Sequence, residues 1–229
     1  MSRTLPALAA LLVVPAAWGQ LAVSALSGMV NHIEGQVTLA GDLLRPKFAQ
    51  FPQVAPGVTL ATQDGRAEVL LTPGVFLRLG ENSSFKMISN KLTDSQVELL
   101  SGSAMIEVQE LLKDNSVTIV RGDTKVNLLK PGLYRFDDDP VRLRVYDGKA
   151  QVANGSGFLT VTKGHETDLG VVLASAKFRT KDTDALYDWS AYRAGLVAQA
   201  NIPAARAAST SGYRAYNSSW AYIDRKSVV

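Results

Sequence analysis

The region from residue 28 to residue 170 consists of short segments in which apolar and polar residues alternate, and each ends at Gly, Pro, Asn or Asp. Alternation with a period of two is typical of strands that bury one face of a sheet. Fifteen of the 18 glycines lie in this region, and no helical pattern interrupts it. We therefore expect an all-β domain over residues 28–175. Its predicted strands are 37–39, 67–71, 75–79, 103–108, 117–120, 141–146 and 158–161.

Glycine positions predict how these strands connect. Asp64-Gly65 and Asp147-Gly148 favour hairpin turns, because glycine adopts the positive φ that such turns need. One pattern (apolar, any, Gly, any, Val or Ala, any, aliphatic) occurs three times, at 33–39, 100–106 and 146–152. The unequal spacing argues against a strict short-period solenoid. We expect a glycine-rich antiparallel sandwich or an irregular, solenoid-like coil of hairpins.

One helix follows the predicted β domain. Asp182 or Thr183 is a suitable N-terminal cap, and the pattern predicts an amphipathic helix over 182–201. Pro203 is expected to end it, since proline lacks the backbone N–H that a helix interior uses. The apolar face of this helix comprises Leu186, Trp189, Leu196 and Val197.

Aromatic residues are concentrated at the C-terminal end, where seven of the ten Tyr and Trp residues follow position 186. Residues 203–229 are rich in Ala, Ser, Gly and Tyr with few aliphatics, which predicts a flexible tail. Exposed aromatics can anchor a partner protein or stack on sugar rings. For Trp189, packing of the helix on the sheet is the favoured alternative. For the tail aromatics, a disordered tail or a chain that has been cut short is an alternative of equal weight to partner binding. The speculative partner-binding residues are Trp189, Tyr213, Tyr216, Trp220 and Tyr222.

The N-terminus has the pattern of a secretory signal peptide. Arg3 is followed by the apolar run 5–17 and by Ala17-Trp18-Gly19, in which small residues occupy the cleavage-site positions. The run is shorter than the roughly 20 residues of a membrane-spanning helix. We expect residues 1–19 to be a signal peptide, cleaved after Gly19, with an uncleaved anchor as the alternative. The prediction is a periplasmic or secreted bacterial protein without a stable membrane span.

Charge and titratable residues give little support for catalysis, metal binding or nucleic-acid binding. The net charge of +3 is not concentrated in one basic segment, so nucleic acid is not an expected partner. Cysteine is absent, and the two histidines, His32 and His165, lie far apart in sequence. The acidic run 137–139 fits a solvated hairpin turn better than a calcium loop. Acidic residues such as Glu68 and Glu107 are interpreted as the solvated side of strands. No cofactor is predicted, and the chain is predicted not to be an enzyme.

The β region resembles the FecR domain family of bacterial envelope proteins. The similarity extends over about residues 28–170, and the order of its segments is more specific than any one of them. Residues 187–193 also look like the Trp-to-Arg helix that follows the domain in stand-alone exported members. The segments that carry the resemblance are 33–37, 56–62, 65–71, 77–84, 97–104 and 145–152.

This resemblance implies a non-catalytic β module in the periplasm. In its best-known setting the module relays the state of an outer-membrane receptor to a cytoplasmic sigma factor. Only four residues precede the apolar run, so the cytoplasmic anti-sigma part is expected to be missing here. The function expected is an envelope interaction, scaffold or signal-sensing module that binds a protein or a glycan. The alternatives are a polysaccharide-active enzyme, recognisable by a cleft with paired carboxylates, or a carbohydrate-binding module with a row of exposed aromatics.

Overall fold

The computed structural model describes residues 27–45, 51–170 and 172–209, the last nine of these as backbone only. It contains 15 strands and one helix in these ranges. In chain order they are β1 Met29–Leu39, β2 Asp42–Leu43, β3 Thr59–Thr72, β4 Val75–Leu79, β5 Ser84–Lys91, β6 Asp94–Ser101, β7 Ala104–Val108, β8 Ser116–Arg121, β9 Thr124–Leu128, β10 Gly132–Asp138, β11 Val141–Asp147, β12 Lys149–Asn154, β13 Gly157–Thr162, β14 His165–Asp168, β15 Ala176–Lys177 and α1 Ala185–Ser209.

The all-β prediction with one C-terminal helix is confirmed. Each predicted strand segment lies in an observed strand, although Ser103 falls just before β7. All strands belong to one sheet with the order β13-β12-β9-β8-β6-β5-β3-β4-β7-β10-β11-β14-β15, and β1 pairs with β3 and β2. Pairing is antiparallel except between β6 and β8, which run parallel. The sheet is therefore mixed rather than wholly antiparallel.

Two layers diverge from β3. Its first part, Thr59–Ala61, pairs with β5, whereas its second part, from Ala67, pairs with β4. We call β5, β6, β8, β9, β12 and β13 the open layer, and β4, β7, β10, β11, β14 and β15 the covered layer. A single core joins the inner faces of both. From the open layer it contains Phe85, Val97, Ile119, Val126 and Val152, and from the covered layer Leu77, Ile106, Tyr134, Phe136 and Val145.

The predicted hairpin turns at Asp64-Gly65 and Asp147-Gly148 are wrong. Gly65 lies in the middle of β3 opposite Gly35, where β3 changes its pairing partner. A Cβ on Gly65 would come within 2.5 Å of the Glu34 carbonyl oxygen, so glycine is needed for close backbone approach rather than for a turn. Gly148 connects β11 to β12, which belong to different layers and do not pair with each other.

The glycines of the three-fold sequence pattern have a common structural role. Gly35, Gly102 and Gly148 have φ of +65°, +76° and +99°, a region that side chains disfavour. At each position the chain bends, within β1 or between layers. The Gly148 bend is fixed by Tyr134, whose hydroxyl donates to the Lys130 carbonyl and accepts from the backbone N–H of Lys149 at 3.0 Å. Burial raises the pKa of Tyr134 to about 12, so the phenol stays protonated as a donor.

Helix α1 differs from its predicted bounds at both ends. It begins at Ala185, and Asp184 is the cap, because its Oδ1 accepts the backbone N–H of Tyr187 at 3.0 Å. The helix passes Pro203 and ends at Ser209. Its last turns contain four alanines, the strongest helix former. The predicted tail therefore begins with helix, and the predictions for residues 210–229 and for the signal peptide lie outside the described residues.

Within the described ranges, no helix combines the length and the apolar character needed to cross a bilayer.

Candidate functional site

Helix α1 packs on the outer face of the covered layer. The contact is a second apolar core, separate from the one between the layers. The Tyr146 ring contacts Tyr187 at 5.2 Å between centroids, which joins β11 to the first turn of the helix. As a result, β4, β7 and the first five residues of β10 are buried on both faces. The residues of this second core are Met105, Leu133, Tyr146, Leu186, Tyr187, Trp189 and Ala194.

A buried charge cluster lies in the same face. Arg78, in the middle of β4, donates from Nε to Glu68 Oε2 at 2.7 Å and from Nη1 to Glu107 Oε2 at 2.8 Å. The two carboxylates belong to β3 and β7, the strands on either side of β4. All three side chains are completely buried. An uncompensated charge in such a place is costly, so each member depends on the others.

Helix α1 supplies the fourth member of this cluster. Arg193 Nη2 donates to Glu68 Oε1 at 2.8 Å, and Asn31 Nδ2 donates to the same oxygen at 2.6 Å. Two arginines and two glutamates thus balance in charge. Burial raises the pKa of Glu68, but the charges and hydrogen bonds of Arg78 and Arg193 outweigh that effect, so the net pKa lies below its ordinary value. The Glu68 carboxylate is ionised at neutral pH.

Two further carboxylates hold the helix. Trp189 Nε1 donates to Glu34 Oε1 at 2.8 Å, and Arg135 Nη1 donates to Asp184 Oδ1 at 2.6 Å. The hydrogen bond from Arg135 lowers the pKa of Asp184. At Glu34, burial raises the pKa, but hydrogen bonds from Trp189 and His32 bring it below its ordinary value. We call Glu34, Glu68 and Asp184 the anchor carboxylates, since each binds α1 or its cap to the sheet.

The predicted site residues have different outcomes. Trp189 is 7% exposed and packs the helix on the sheet. This is the role that the sequence analysis favoured for it. A buried indole is not available to a partner while α1 stays docked. The exposed aromatic of this helix is Tyr192, with 62% of its surface accessible. The four tail aromatics, Tyr213, Tyr216, Trp220 and Tyr222, lie outside the described residues.

The charge cluster was missed by sequence reasoning. Glu68 and Glu107 were expected on the solvated side of strands, and that expectation is wrong because α1 covers that side. A usable signal was present: Arg78 and Glu107 are single charges in strands whose residues are all buried. In the sequence, each of these strands is a short apolar run with one charged residue in it. Charged residues of opposite sign in two such runs could form a buried ion pair.

The other titratable residues take structural roles. The acidic run lies at the hairpin between β10 and β11, with Asp137 and Asp138 at the end of β10 and Asp139 in the turn. Asp137 accepts from Arg135 at 2.8 Å, and Asp138 pairs with Arg121, so these two acids are ion-paired rather than freely solvated. His32 contacts Glu34 at 3.1 Å. The described residues contain no group of three His, Asp or Glu arranged to hold a metal ion.

A sequence comparison matches part of this chain to a known family. The FecR protein family model matches residues 58–151. This chain contains a FecR domain. The matched range supplies Glu68, Arg78 and Glu107 of the cluster, whereas Arg193 and Trp189 lie beyond it. Helix α1 thus covers the FecR domain from outside the matched segment, and β13 also follows that segment.

Solved structures and curated sequences give weaker comparisons. Two crystal structures of a proposed anti-sigma factor from Parabacteroides distasonis ATCC 8503 each match with 13% identity and a TM-score of 0.46. Each match covers 60% of this chain and 65% or 64% of the other, so less than two thirds of those proteins is matched. No curated protein sequence matches the chain significantly.

Helix α1 leaves the outer face of the open layer uncovered. A row of uncharged polar residues crosses this face, with one residue on each of five adjacent strands. Thr118 Oγ1 donates to Asn127 Oδ1 at 2.9 Å within the row. The neighbouring row mixes charged and apolar residues and ends at the exposed Phe158. The polar row consists of Gln96, Thr118, Asn127, Gln151 and Thr160.

Two clefts open beside the FecR domain. One, of about 530 Å³, lies between the second half of α1 and the β3–β4 turn, and Arg193 lines it with mostly apolar neighbours. The other, of about 730 Å³, lies at the end of the two layers, beside the β8–β9 and β12–β13 turns. Asp123 is the one acidic residue in either lining. Neither cleft has the pair of carboxylates that glycoside hydrolysis requires.

Proposed function

We propose that this chain is a FecR-type regulatory module that acts outside the cytoplasm by binding a partner protein. The FecR match over residues 58–151 is the observation that carries the proposal. Family resemblance and the signal-peptide pattern of residues 1–19 support an exported module that senses or transmits a signal. We assign the partner contact to the outer face of the open layer.

The two layers differ in what they offer to a partner. Helix α1 occupies the outer face of the covered layer through Trp189, Arg193 and the second core. The open layer presents the polar row instead. In this row Thr160 is exposed, Thr118 is buried, and the other three residues are half-buried. Five strands spaced about 4.8 Å apart make a surface roughly 20 Å wide, which suits one side of a protein–protein interface. Amide and hydroxyl groups there can donate and accept hydrogen bonds without the cost of burying charge.

A non-catalytic role agrees with the state of the buried carboxylates. A general acid in a glycosidase needs a raised pKa, but the pKa of Glu68 is lowered by its arginine partners. Glu68 and Glu107 also share Arg78, and neither carboxylate lines a cleft, although Arg193, which binds Glu68, lines the cleft beside α1. The geometry therefore gives the polysaccharide-active enzyme no specific support.

A protein partner is better supported than a glycan. Carbohydrate-binding faces use aromatic rings as stacking platforms, and the polar row contains amides and hydroxyls. Phe158 is the aromatic residue at the edge of this face, and one ring does not make a platform. Glycan binding is retained as an outcome of the experiment.

Photo-crosslinking from the open layer tests this proposal. A photoreactive residue at Asn127, in the middle of the polar row, is compared with one at the exposed Tyr192 of α1. Both full-length chains are irradiated in native envelopes, and adducts are identified by mass spectrometry. We expect one protein adduct that forms from position 127 and not from position 192.

Four other results would contradict the proposal. Adducts from position 192 alone would move the contact to α1. An adduct that glycosidases remove would replace the protein partner with a glycan. If neither position gives an adduct while the chain is intact in the envelope fraction, the chain does not bind a partner stably. Recovery of the chain only in the cytoplasmic fraction would overturn the assignment outside the cytoplasm.

A further inference from the structure

Strand β13 is an unusual edge of the sheet. The described sheet ends at β13 on one side and at β15 on the other, and β2 forms a short side branch. The strands β15 and β2 have two residues each and carry Lys177 and Asp42. Short length and charge are the usual means by which proteins keep edge strands from pairing with other chains. Strand β13 has six residues and no charge.

The composition and exposure of β13 favour pairing. Its sequence, GFLTVT, has high β propensity and contains no proline. All six residues pair with β12, and no strand of the described ranges pairs with its other side. Phe158 is 81% exposed, although it is the largest side chain of the strand. An unpaired backbone edge beside an exposed aromatic ring is a template for strand addition.

We propose that β13 pairs antiparallel with β13 of a second copy of this chain, about a two-fold axis at Thr160. In this register Phe158 of each copy lies opposite Thr162 of the other, and Leu159 lies opposite Val161. Opposed residues of an antiparallel pair share a face. Phe158 therefore packs beside Thr162 on one side of the sheet, and Leu159 packs beside Val161 on the other. Aromatic–β-branched and aliphatic pairs stabilise such ladders, and no like charges meet.

The alternative two-fold registers are poorer. An axis at Leu159 would place Val161 opposite Gly157, and an axis at Val161 would place Phe158 opposite Gly164. Glycine offers no side chain to pack, so each of these registers loses a pair that the axis at Thr160 keeps. The strand is therefore complementary to itself in one register, which is the condition for a closed two-fold dimer.

Pairing at β13 would join two open layers into one continuous sheet. Thr160 ends the polar row of each copy, so the rows of the two copies would meet at the axis. This inference goes beyond the proposed function, because a dimer can form whether or not a partner protein binds. The contact is one short strand pair, smaller than a standard interface. We therefore expect a dimer that dissociates on dilution.

Cysteine crosslinking tests the register directly, because the chain contains no cysteine. Thr160→Cys places two thiols opposite each other, within the Cα separation that a disulfide spans. Thr162→Cys is the matched control on the same strand and face, where the two thiols would be about 13 Å apart along the strands. Under mild oxidation of the full chain, we expect a covalent dimer from Thr160→Cys and at least ten-fold less from Thr162→Cys. Equal amounts from both variants would overturn the register.

Solution mass gives a second, independent readout. By analytical ultracentrifugation, the unmodified chain should approach twice its monomer mass as concentration rises. Thr160→Lys should keep it monomeric, since two lysines would then face each other, whereas Asn127→Lys, in the same polar row but away from the edge, should not. A chain that stays monomeric at all concentrations, or a dimer that survives Thr160→Lys with an unchanged circular dichroism spectrum, would refute the proposal. Ultracentrifugation of the purified chain reports dimerisation in the absence of any partner protein, which separates it from partner binding.

Discussion

Replacing Arg78 with methionine perturbs the charge cluster at its centre. Methionine retains much of the length of the side chain but removes the donors that reach Glu68 and Glu107. Glu68 then retains Arg193 and Asn31. Glu107 loses the 2.8 Å hydrogen bond from Arg78 Nη1, and Gln109 Nε2 still donates to its other oxygen at 3.3 Å. The variant therefore leaves the two buried glutamates of the cluster with one of its two arginines, Arg193.

The expected loss follows from complete burial. Removing one partner of a fully buried ion pair costs about 3–5 kcal/mol, because the other charge remains without compensation. The typical stability of a domain is only about 5–15 kcal/mol, so Arg78→Met should lower the free energy of unfolding by a large share. Neutralising Glu68 and Glu107 as well should restore much of the lost stability. We therefore expect Arg78→Met with Glu68→Gln and Glu107→Gln to be more stable than Arg78→Met alone.

Urea unfolding followed by far-UV circular dichroism measures these differences. Arg179→Met is the matched control, since the side chain of Arg179 is 85% exposed and pairs only with the exposed Asp182 in the described structure. It should change the free energy of unfolding by no more than about 0.5 kcal/mol. A loss below about 1 kcal/mol for Arg78→Met would refute the reasoning. A triple variant no more stable than Arg78→Met would also refute it, because the charges of Glu68 and Glu107 would then not cause the loss.

The remaining predictions concern the helix contact and one bend. The pKa of each anchor carboxylate is lowered in the folded state; their stabilisation is therefore present above the unfolded values of 4.5 for Glu and 3.8 for Asp and is lost as pH falls below them. Amide hydrogen exchange should show α1 losing protection between pH 5 and roughly pH 3; pH-independent protection would contradict this. Trp189→Ala should cost about 3–5 kcal/mol in urea unfolding and Tyr192→Ala no more than about 0.5 kcal/mol; similar losses would argue against docking through the indole. Gly148→Ala should lower stability by about 2 kcal/mol or more, because its Cβ would lie 2.3 Å from the Tyr134 hydroxyl; Gly155→Ala, which meets nothing within 4 Å, is the control, and equal melting temperatures would refute the close approach.

Local patterns were sufficient to predict most strands of this fold. Period-two alternation and glycine breaks depend on neighbouring residues, and so they locate elements such as β4 and β11 within a residue or two. Pairing depends on residues far apart in sequence. The same Asp-Gly signal was therefore misread at Gly65, where the glycine permits a close approach to β1. The parallel β6–β8 pair is likewise a product of the chain path and has no local signature.

The charge cluster was unpredictable for a related reason. Glu68 has an ordinary alternating position in its strand, and alternation alone assigns it to solvent. Its burial depends on Arg193, which lies 125 residues away in sequence. The helix itself and its apolar face were predictable, but the face of the sheet that receives it was not. The role of Trp189 in packing could be anticipated from its position on the apolar face.

The position of α1 also determines how the molecule responds to force. The helix follows every described strand in sequence and binds the sheet through contacts ordered along its length. Tension at its C-terminal end therefore loads Arg193 first, then Trp189, and finally the cap at Asp184. Contacts that break one after another yield at lower force than hydrogen bonds sheared together between strands. A pull on this end would peel the helix from the covered layer and admit water to the buried ions while the two layers remained intact.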